Sequence, residues 1–209
     1  MTVTSHAELL DAIQNHLHED TTSMPDARVD EFLDLAEARI RNDVRNRYME
    51  SESSITLSSG TRTVALPTNY IGHRRLYINT DPVKEVRYVT PEHYWATWMS
   101  SQTDEPDEFT VEAGNYVFGP VPGSAYTGQA LIYALAPLTS SVTPSLLTNH
   151  PDIYFYATLV EASTFAGSPN EEVLFWEAKY RAAVDGAMKR EQHDRYPGPL
   201  IRRRIGSVP

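Results

Sequence analysis

The sequence of 209 residues contains no cysteine. This absence excludes disulfide frameworks, thiol nucleophiles, cysteine-ligated zinc and iron-sulfur clusters, and it fits folding in a reducing compartment. Long apolar runs are absent too, since no segment approaches the roughly 18 apolar residues of a membrane-spanning helix. The opening MTVTSHAELLDAIQ lacks the basic and then apolar pattern of a secretory signal. We therefore expect a protein that is made in the cytoplasm, is not exported by a signal peptide and does not enter a membrane.

Basic residues are scarce, because 18 lysines and arginines stand against 28 acidic residues and give a formal net charge of -10. An acidic protein suits duplex DNA poorly, since wrapping DNA needs a cationic surface that replaces the counterions of the phosphates. Residues 195–209 are the exception, with four arginines and no acidic residue. This segment predicts a basic C-terminal tail with a partner of its own.

Motifs of the common catalytic sites are also missing. There is no glycine-rich phosphate loop, nucleophile elbow or HExxH helix. His16 and His18 are two residues apart and would face different sides of a helix, so they do not predict a metal site. The acidic stretch 104–108 is interrupted by Pro106 and lacks the glycine of a calcium loop. We predict no catalytic, metal-binding or cofactor-binding residues, no cofactor and no enzymatic activity.

Helical periodicity marks both ends of the chain. A capping box in SHAE, followed by apolar residues at helical spacing, predicts a first helix over residues 6–18. Residues 27–49 predict a second, amphipathic helix with the oppositely charged pairs Glu37/Arg41 and Asp43/Arg47 outside its apolar stripe. Near the other end, an almost wholly apolar helix from Ile153 to Ala166 precedes a final helix, which starts at the capping box Ser168–Glu171 and runs to about His193.

In the middle of the chain the period changes to two, which is typical of β-strands. SITL and TVAL, joined by a turn at Ser58–Gly60, predict one hairpin, and HRRLYIN with VKEVRYVT predicts another. Thr90 followed by proline predicts the start of a short helix, EHYWATWM. FTVEAGNYVFG predicts a third hairpin that turns at Gly114–Asn115, and QALIYALAP predicts a buried strand.

These elements together predict an α+β fold: a bundle of about four helices with a β-rich insertion between helices two and three. The first two helices cannot bury their apolar stripes alone, so we expect them to pack on the apolar helix 153–166. The predicted divisions are 1–50 and 138–194 for the two parts of the bundle, 51–137 for the insertion with its short helix, and 195–209 for an extended basic tail.

Six segments, which cover the chain up to about Arg190, follow one another in an informative order. They are AELLDAIQNHL, RVDEFLDLAEARIRNDVRNR, TRTVALPTNYIGHRRLYI, YVTPEHYW, NYVFGPVPG ahead of QALIYALAP, and LLTNHPDIYFYATLVEASTFAGSPNEEVLFWEAKYRAAVD. This order, rather than any single motif, resembles the head-to-tail adaptor (connector) proteins of tailed bacteriophages.

The resemblance implies a structural protein of the virion neck, at the head-tail interface. Such adaptors form a twelve-fold ring under the portal protein, join it to the next tail or stopper protein and line the DNA channel. The acidic composition agrees, because an acidic wall offers DNA few cations and lets it pass without specific binding. The C-terminal segment of these adaptors reaches into the portal. Here the candidate portal-binding residues are Tyr196, Leu200, Ile201, Arg202, Arg203, Arg204 and Ile205.

Two other functions remain open from the sequence. A stopper or tail-completion protein of the same neck region would use its β hairpins and the acidic loop 101–108 as docking surfaces. A virion-associated cell-wall hydrolase is the alternative from another class, with Glu92, Glu112 and Glu161 as conceivable general acids. Such an enzyme needs two carboxylates at a defined separation across a cleft, which a sequence alone does not place.

Overall fold

The structure is a computed structural model that describes residues 3–17 and 24–195. The chain divides into two compact units. The helical unit consists of Met1–Tyr48 with Pro137–Pro209, and the β unit consists of Met49–Ala136.

Six α-helices and three β-sheets form within the two described ranges. The helices are α1 (His6–Leu17), α2 (Asp26–Asp43), α3 (Pro91–Trp98), α4 (Ser145–Asn149), α5 (Pro151–Phe165) and α6 (Asn170–Arg195). The fold is α+β, but the predicted bundle of about four helices around a single β-rich insertion is wrong. A helix as short as α4 spans little more than one turn, so the sequence shows no 3.6-residue period there. The alternation of apolar and polar residues likewise does not show which strands pair with one another. The strands form three sheets.

Local chemistry sets the ends of the helices. At the start of α1, the Glu8 carboxylate accepts hydrogen bonds from the backbone N and Oγ1 of Thr4, at 2.7 and 2.8 Å. Helix α2 ends at Asp43, well before the predicted 49, because Val44 adopts an extended backbone and a single 3₁₀ turn, Arg47–Met49, follows. Gly167 has a φ of 73° and follows Ala166, the C-cap of α5, as its predicted capping position requires.

Helix α5 lies at the centre of the helical unit, in contact with α1, α2, α4 and α6. It buries residues on most of its surface, including Ile153, Tyr154, Ala157 and Leu159. The opposing residues Leu9, Ile13, Val29, Leu33, Ala36 and Ile40 are buried on α1 and α2. The prediction that the first two helices pack on this apolar segment is confirmed.

The β unit contains two four-stranded sheets and one two-stranded sheet. The strands are β1 (Glu50–Leu57), β2 (Thr63–Ala65), β3 (Tyr70–Ile78), β4 (Lys84–Glu85), β5 (Arg87–Tyr88), β6 (Thr103–Asp104), β7 (Glu108–Glu112), β8 (Asn115–Gly119), β9 (Val121–Pro122) and β10 (Tyr126–Ala134). The sheet orders are β1-β10-β3-β4, β2-β8-β7-β5 and β6-β9. The four-stranded sheets share a core that includes Ile55, Leu76, Phe109, Phe118 and Ile132.

The pairing of the strands corrects part of the sequence prediction. Strands β1 and β2 do not form a hairpin, since β1 pairs with β10 and β2 with β8. In the second predicted hairpin only β3 and β4 pair, and β5 instead pairs in parallel with β7. The third hairpin, β7 with β8, is confirmed, but it turns at Ala113 and Gly114, both of which have positive φ. This left-handed pair is the turn that the twist of a tight hairpin favours.

Candidate interaction site

An arginine on α2 connects three helices of the helical unit. Arg39 places Nη2 2.6 Å from Oε1 of Glu161 on α5 and Nη1 2.5 Å from Oε2 of Glu177 on α6. Arg181 adds a contact of 2.9 Å from its Nε to Oε1 of Glu177. The Arg39, Glu161 and Glu177 side chains are each less than one-third exposed, so water screens these contacts only in part.

The surroundings of Glu177 and Tyr180 shift the pKa values of these two side chains in opposite directions. Burial, the largest single influence, would raise the pKa of Glu177, but hydrogen bonds and charge from Arg181 and Arg39 lower the pKa overall. Tyr180 donates its hydroxyl to Oδ2 of Asp43 at 2.9 Å. Burial raises the pKa of Tyr180, so the phenol remains a donor to this carboxylate. The middle of α6 is therefore fixed to α2 by charge-assisted hydrogen bonds.

The last turn of α6 is held by a second arginine. The backbone N and Nε of Arg47 lie 3.2 and 3.1 Å from Oε2 of Glu191, and its Nη2 lies 2.6 Å from Oδ2 of Asp194. The Glu191 side chain is only 7% exposed. The helix end from which the basic tail leaves therefore has a defined position in the helical unit. The candidate portal-binding residues, Tyr196 to Ile205, lie outside the described residues.

The buried side chain of Glu37 holds the chain where it re-enters the helical unit after the β unit. Oε1 of Glu37 accepts a hydrogen bond of 2.7 Å from the backbone N of Leu138, one residue after the chain returns from the β unit. Glu37 is 4% exposed, and burial raises the pKa of this carboxyl despite the opposing effect of the Leu138 hydrogen bond. The sequence placed Glu37 among outward-facing charged pairs. Its position between the core residues Leu33 and Ile40 was the signal that it faces inward.

Of the three glutamates considered as general acids, two contact neighbouring side chains and the third is exposed. Glu161 contacts Arg39, and Glu112 accepts hydrogen bonds from Nε1 of Trp95 at 2.9 and 3.0 Å. Glu92 lies exposed in the first turn of α3.

Two carboxylates of the acidic loop 101–108 contact a lysine of the β unit. Nζ of Lys84 lies 3.0 Å from Oε1 of Glu105 and 2.5 Å from Oδ1 of Asp107. The part of the chain that the structure describes contains no group of three or more histidine, cysteine or acidic side chains arranged to hold a metal ion.

The helical unit also exposes large apolar side chains on α6. Leu174 is 66% exposed and Phe175 is 50% exposed. The run Val173–Trp176 contains four apolar residues in succession, which a helix distributes around its whole circumference. A helix that packs on one side must expose part of such a run. The run itself therefore indicated that some of its apolar side chains would be exposed.

A protein-family model described as the SU10 adaptor protein matches residues 1–203 of the chain. The chain belongs to the SU10 adaptor protein family. This is a family of phage head-to-tail adaptors, so the member described here is a bacteriophage structural protein of the virion neck. No curated protein matches it in a direct sequence comparison. Among the described helices of this adaptor, none combines the length and the apolar character that crossing a membrane requires.

Proposed function

We propose that this adaptor assembles into a twelve-fold ring that joins the portal protein to a downstream tail or stopper protein, and that it acts without catalysis. DNA passes through the channel of the ring without specific binding. The family match over residues 1–203 is the observation that carries this proposal. The ring, its channel and its two partners go one step beyond family membership.

The acidic net charge of the chain supports the proposal that DNA passes through the ring. Each copy brings a formal net charge of -10, so a ring multiplies an acidic surface around the DNA path. Phosphates meet few cations on such a surface, and binding that depends on release of counterions is weak. DNA therefore moves past the ring during ejection with little retention.

The C-terminal tail is proposed as the portal contact. Its apolar anchors Leu200, Ile201 and Ile205 flank the cluster Arg202–Arg204, and Tyr196 lies four residues before Leu200. A segment of this composition gains affinity by pairing its arginines with carboxylates of an acidic, grooved partner and burying its apolar side chains there. The contacts of Arg47 with Glu191 and Asp194 support this role, because they give the tail a fixed point of departure.

The mass of the purified adaptor, measured by multi-angle light scattering alone and with the portal protein of the same phage, tests this proposal. We expect a species of about twelve chains, either for the adaptor alone or only in the presence of portal. An adaptor that stays monomeric in both samples and does not bind portal would contradict the proposal.

A further inference from the structure

The helical unit has an apolar pocket of about 250 Å³ beside the start of α5. Pockets that bind drug-sized ligands typically measure about 300–1,000 Å³, so this one suits one or two side chains of a peptide. Most of its lining residues are aliphatic or aromatic, whereas Asp152 is an exposed acidic residue. The described lining residues are Val3, Ala12, Pro151, Asp152, Phe155 and Tyr156.

Neighbouring rings hold the two aromatic side chains of this pocket in place. The Phe155 ring meets that of His16 on α1 edge to face, with 5.7 Å between centroids. The Tyr156 ring stacks on that of Trp176 on α6, with 6.1 Å between centroids. A pocket whose walls are fixed before it is filled loses little conformational freedom on binding.

Asp152 supplies the charge of the pocket. Within residues 3–17 and 24–195, no lysine or arginine forms an ion pair with this carboxylate. Burial lowers the pKa of His150, the Asp152 carboxylate opposes this shift, and the Arg190 guanidinium adds to it. Asp152 and Arg190 therefore both lie close to His150. An apolar pocket beside such a carboxylate suits an aliphatic side chain that is followed by a cation.

The last turn of α6 lies at the same end of the helical unit as this pocket. Nη2 of Arg47 is 2.6 Å from Oδ2 of Asp194, and the ring of the next residue, Tyr48, is 5.5 Å from that of His150. His150 is two residues before Asp152 in the sequence. The basic tail therefore begins near the pocket.

The sequence of the tail matches the chemistry of the pocket. Leu200 and Ile201 are directly followed by three arginines, in a stretch, residues 195–209, that has four arginines and no acidic residue. A guanidinium pairs strongly with a carboxylate. Leu200 is five residues beyond Arg195, and five residues of chain span at most about 17 Å.

We infer that in the free adaptor the tail docks on the pocket of its own helical unit, with Ile201 in the pocket and Arg202 paired with Asp152. The inference rests on the proposed function, in which the same tail binds portal. The tail of the same chain is the occupant because it begins near the pocket, which gives it an effective concentration of about millimolar. Portal must then displace the tail, so docking lowers the apparent affinity of the adaptor for portal.

The natural lack of cysteine makes cross-linking a direct test. Asn15→Cys introduces an exposed thiol on α1, three residues after Ala12, and Arg203→Cys introduces a second thiol two residues after Ile201. Treated with a short bis-maleimide in the absence of portal, this double variant should couple within one chain, as its intact mass would show. A covalent dimer would mean that the tail reaches another copy instead.

The matched comparison removes the apolar side chains of the tail. The same double variant with Leu200→Ser and Ile201→Ser should couple at least about fivefold more slowly, because the tail is no longer held near α1. Urea unfolding of the helical unit should not report docking. A tail held by few contacts is released at urea concentrations below those that unfold the unit.

Portal binding, measured by biolayer interferometry, gives the second arm of the test. Asp152→Asn removes the carboxylate and keeps the size of the side chain. It should bind portal about three- to tenfold more tightly than the natural chain, because fewer tails are held in the pocket. Asp185→Asn is the matched control, since it changes the net charge equally at an exposed position of α6, and it should bind portal like the natural chain.

The outcomes separate this inference from the proposed function. Equal coupling rates with and without Leu200 and Ile201, a covalent dimer, or equal portal affinities of Asp152→Asn and Asp185→Asn would overturn the inference and leave the proposed function standing. If no form of the chain bound portal or formed a ring, the proposed function would fall. The cross-linking comparison would still confirm or contradict docking.

Discussion

Arg39 and Glu161 meet at 2.6 Å across the contact between α2 and α5, and the same guanidinium reaches Glu177 on α6. One side chain thereby links the segment before the β unit to both long helices after it. Its Cζ also lies 5.7 Å from the centroid of the Tyr180 ring. Because the arginine is only 30% exposed, losing it would take the cation from the partly buried Glu161 and leave Glu177 with Arg181 alone.

Replacing Arg39 by methionine should therefore lower the free energy of unfolding of the helical unit by about 2 kcal/mol, between the values for exposed and buried ion pairs. The measurement is urea unfolding followed by circular dichroism. Arg28→Met is the control, since the Arg28–Glu31 pair is exposed and its loss should cost about 0–1 kcal/mol. Equal losses for the two variants would contradict the stabilising role assigned to Arg39.

Glu37 gives the helical unit a pH-dependent stability. Burial raises the pKa of its carboxyl above the ordinary value of 4.5, so the folded state favours the protonated form. The stability associated with this group is full below pH 4.5 and is lost as the pH rises through the folded pKa. Glu37→Gln should match the natural chain in acid and become more stable than it as the pH approaches 7, because the amide oxygen still accepts from Leu138.

The measurement is the free energy of unfolding of both chains, determined in urea between pH 4 and 7. Glu37→Leu serves as the control, since it removes the charge but also leaves the buried N–H of Leu138 without its acceptor, at a cost of about 1–3 kcal/mol. A difference between the natural chain and Glu37→Gln that stays constant with pH would contradict the assignment.

The sequence predicted those parts of the fold that depend on local chemistry. Helix α3 begins where Thr90 was expected to cap it, and the Thr90 Oγ1 accepts from the backbone N of His93 at 3.4 Å. The hairpin of β7 and β8 and the apolar strand β10 were also predicted, because turn residues and apolar runs act over a few positions. The end of α2 was misplaced, since a continuous apolar pattern hid the extended backbone at Val44.

Pairing between distant strands was beyond the sequence pattern. Strand β1 contains the residues Ile55 and Leu57, whose alternation predicts a strand but fits the nearby β2 as well as the distant β10. Register is decided by how the strands fit into two facing sheets, which depends on the whole unit. Only part of the interaction site could likewise be predicted from the sequence. The pattern identified the basic tail, whereas the contacts of Arg39 and the exposure of Leu174 depend on how three helices pack together.

Gly128 tests the observed strand order directly. It lies in β10 between Ile55 of β1 and Ile78 of β3, and a Cβ built there would be 2.3 Å from the carbonyl oxygen of Tyr77. Gly128→Ala should destabilise the β unit by about 1–3 kcal/mol, because backbone must move to admit the methyl group.

Gly72→Ala is the matched control, since Gly72 lies in β3 of the same sheet and a Cβ there meets nothing within 4 Å. Thermal unfolding monitored by tryptophan fluorescence compares the two, as Trp95 and Trp98 both lie in the β unit. If Gly128→Ala unfolds at the same temperature as the natural chain while Gly72→Ala unfolds at a lower one, the central position of β10 is wrong.

Deletion of residues 196–209 tests the role proposed for the tail. The truncated chain keeps α6 and its contacts from Glu191 and Asp194 to Arg47, so its unfolding in urea should be unchanged. Its affinity for portal, measured by biolayer interferometry, should fall at least about tenfold, which corresponds to roughly 1.4 kcal/mol. The apolar anchors and the arginines are both lost in this variant, so it does not distinguish between them.

Two substituted tails make that distinction. Replacing Arg202, Arg203 and Arg204 by lysine keeps the charge but removes the planar guanidinium, whereas replacing them by alanine removes both. If guanidinium groups bind portal carboxylates in pairs of hydrogen bonds, the lysine tail should lose affinity nearly as the alanine tail does. If the tail acts through charge alone, the lysine tail should bind like the natural one, and added salt should weaken both equally. A truncated chain that binds portal as tightly as the intact adaptor would remove the tail from the interface altogether.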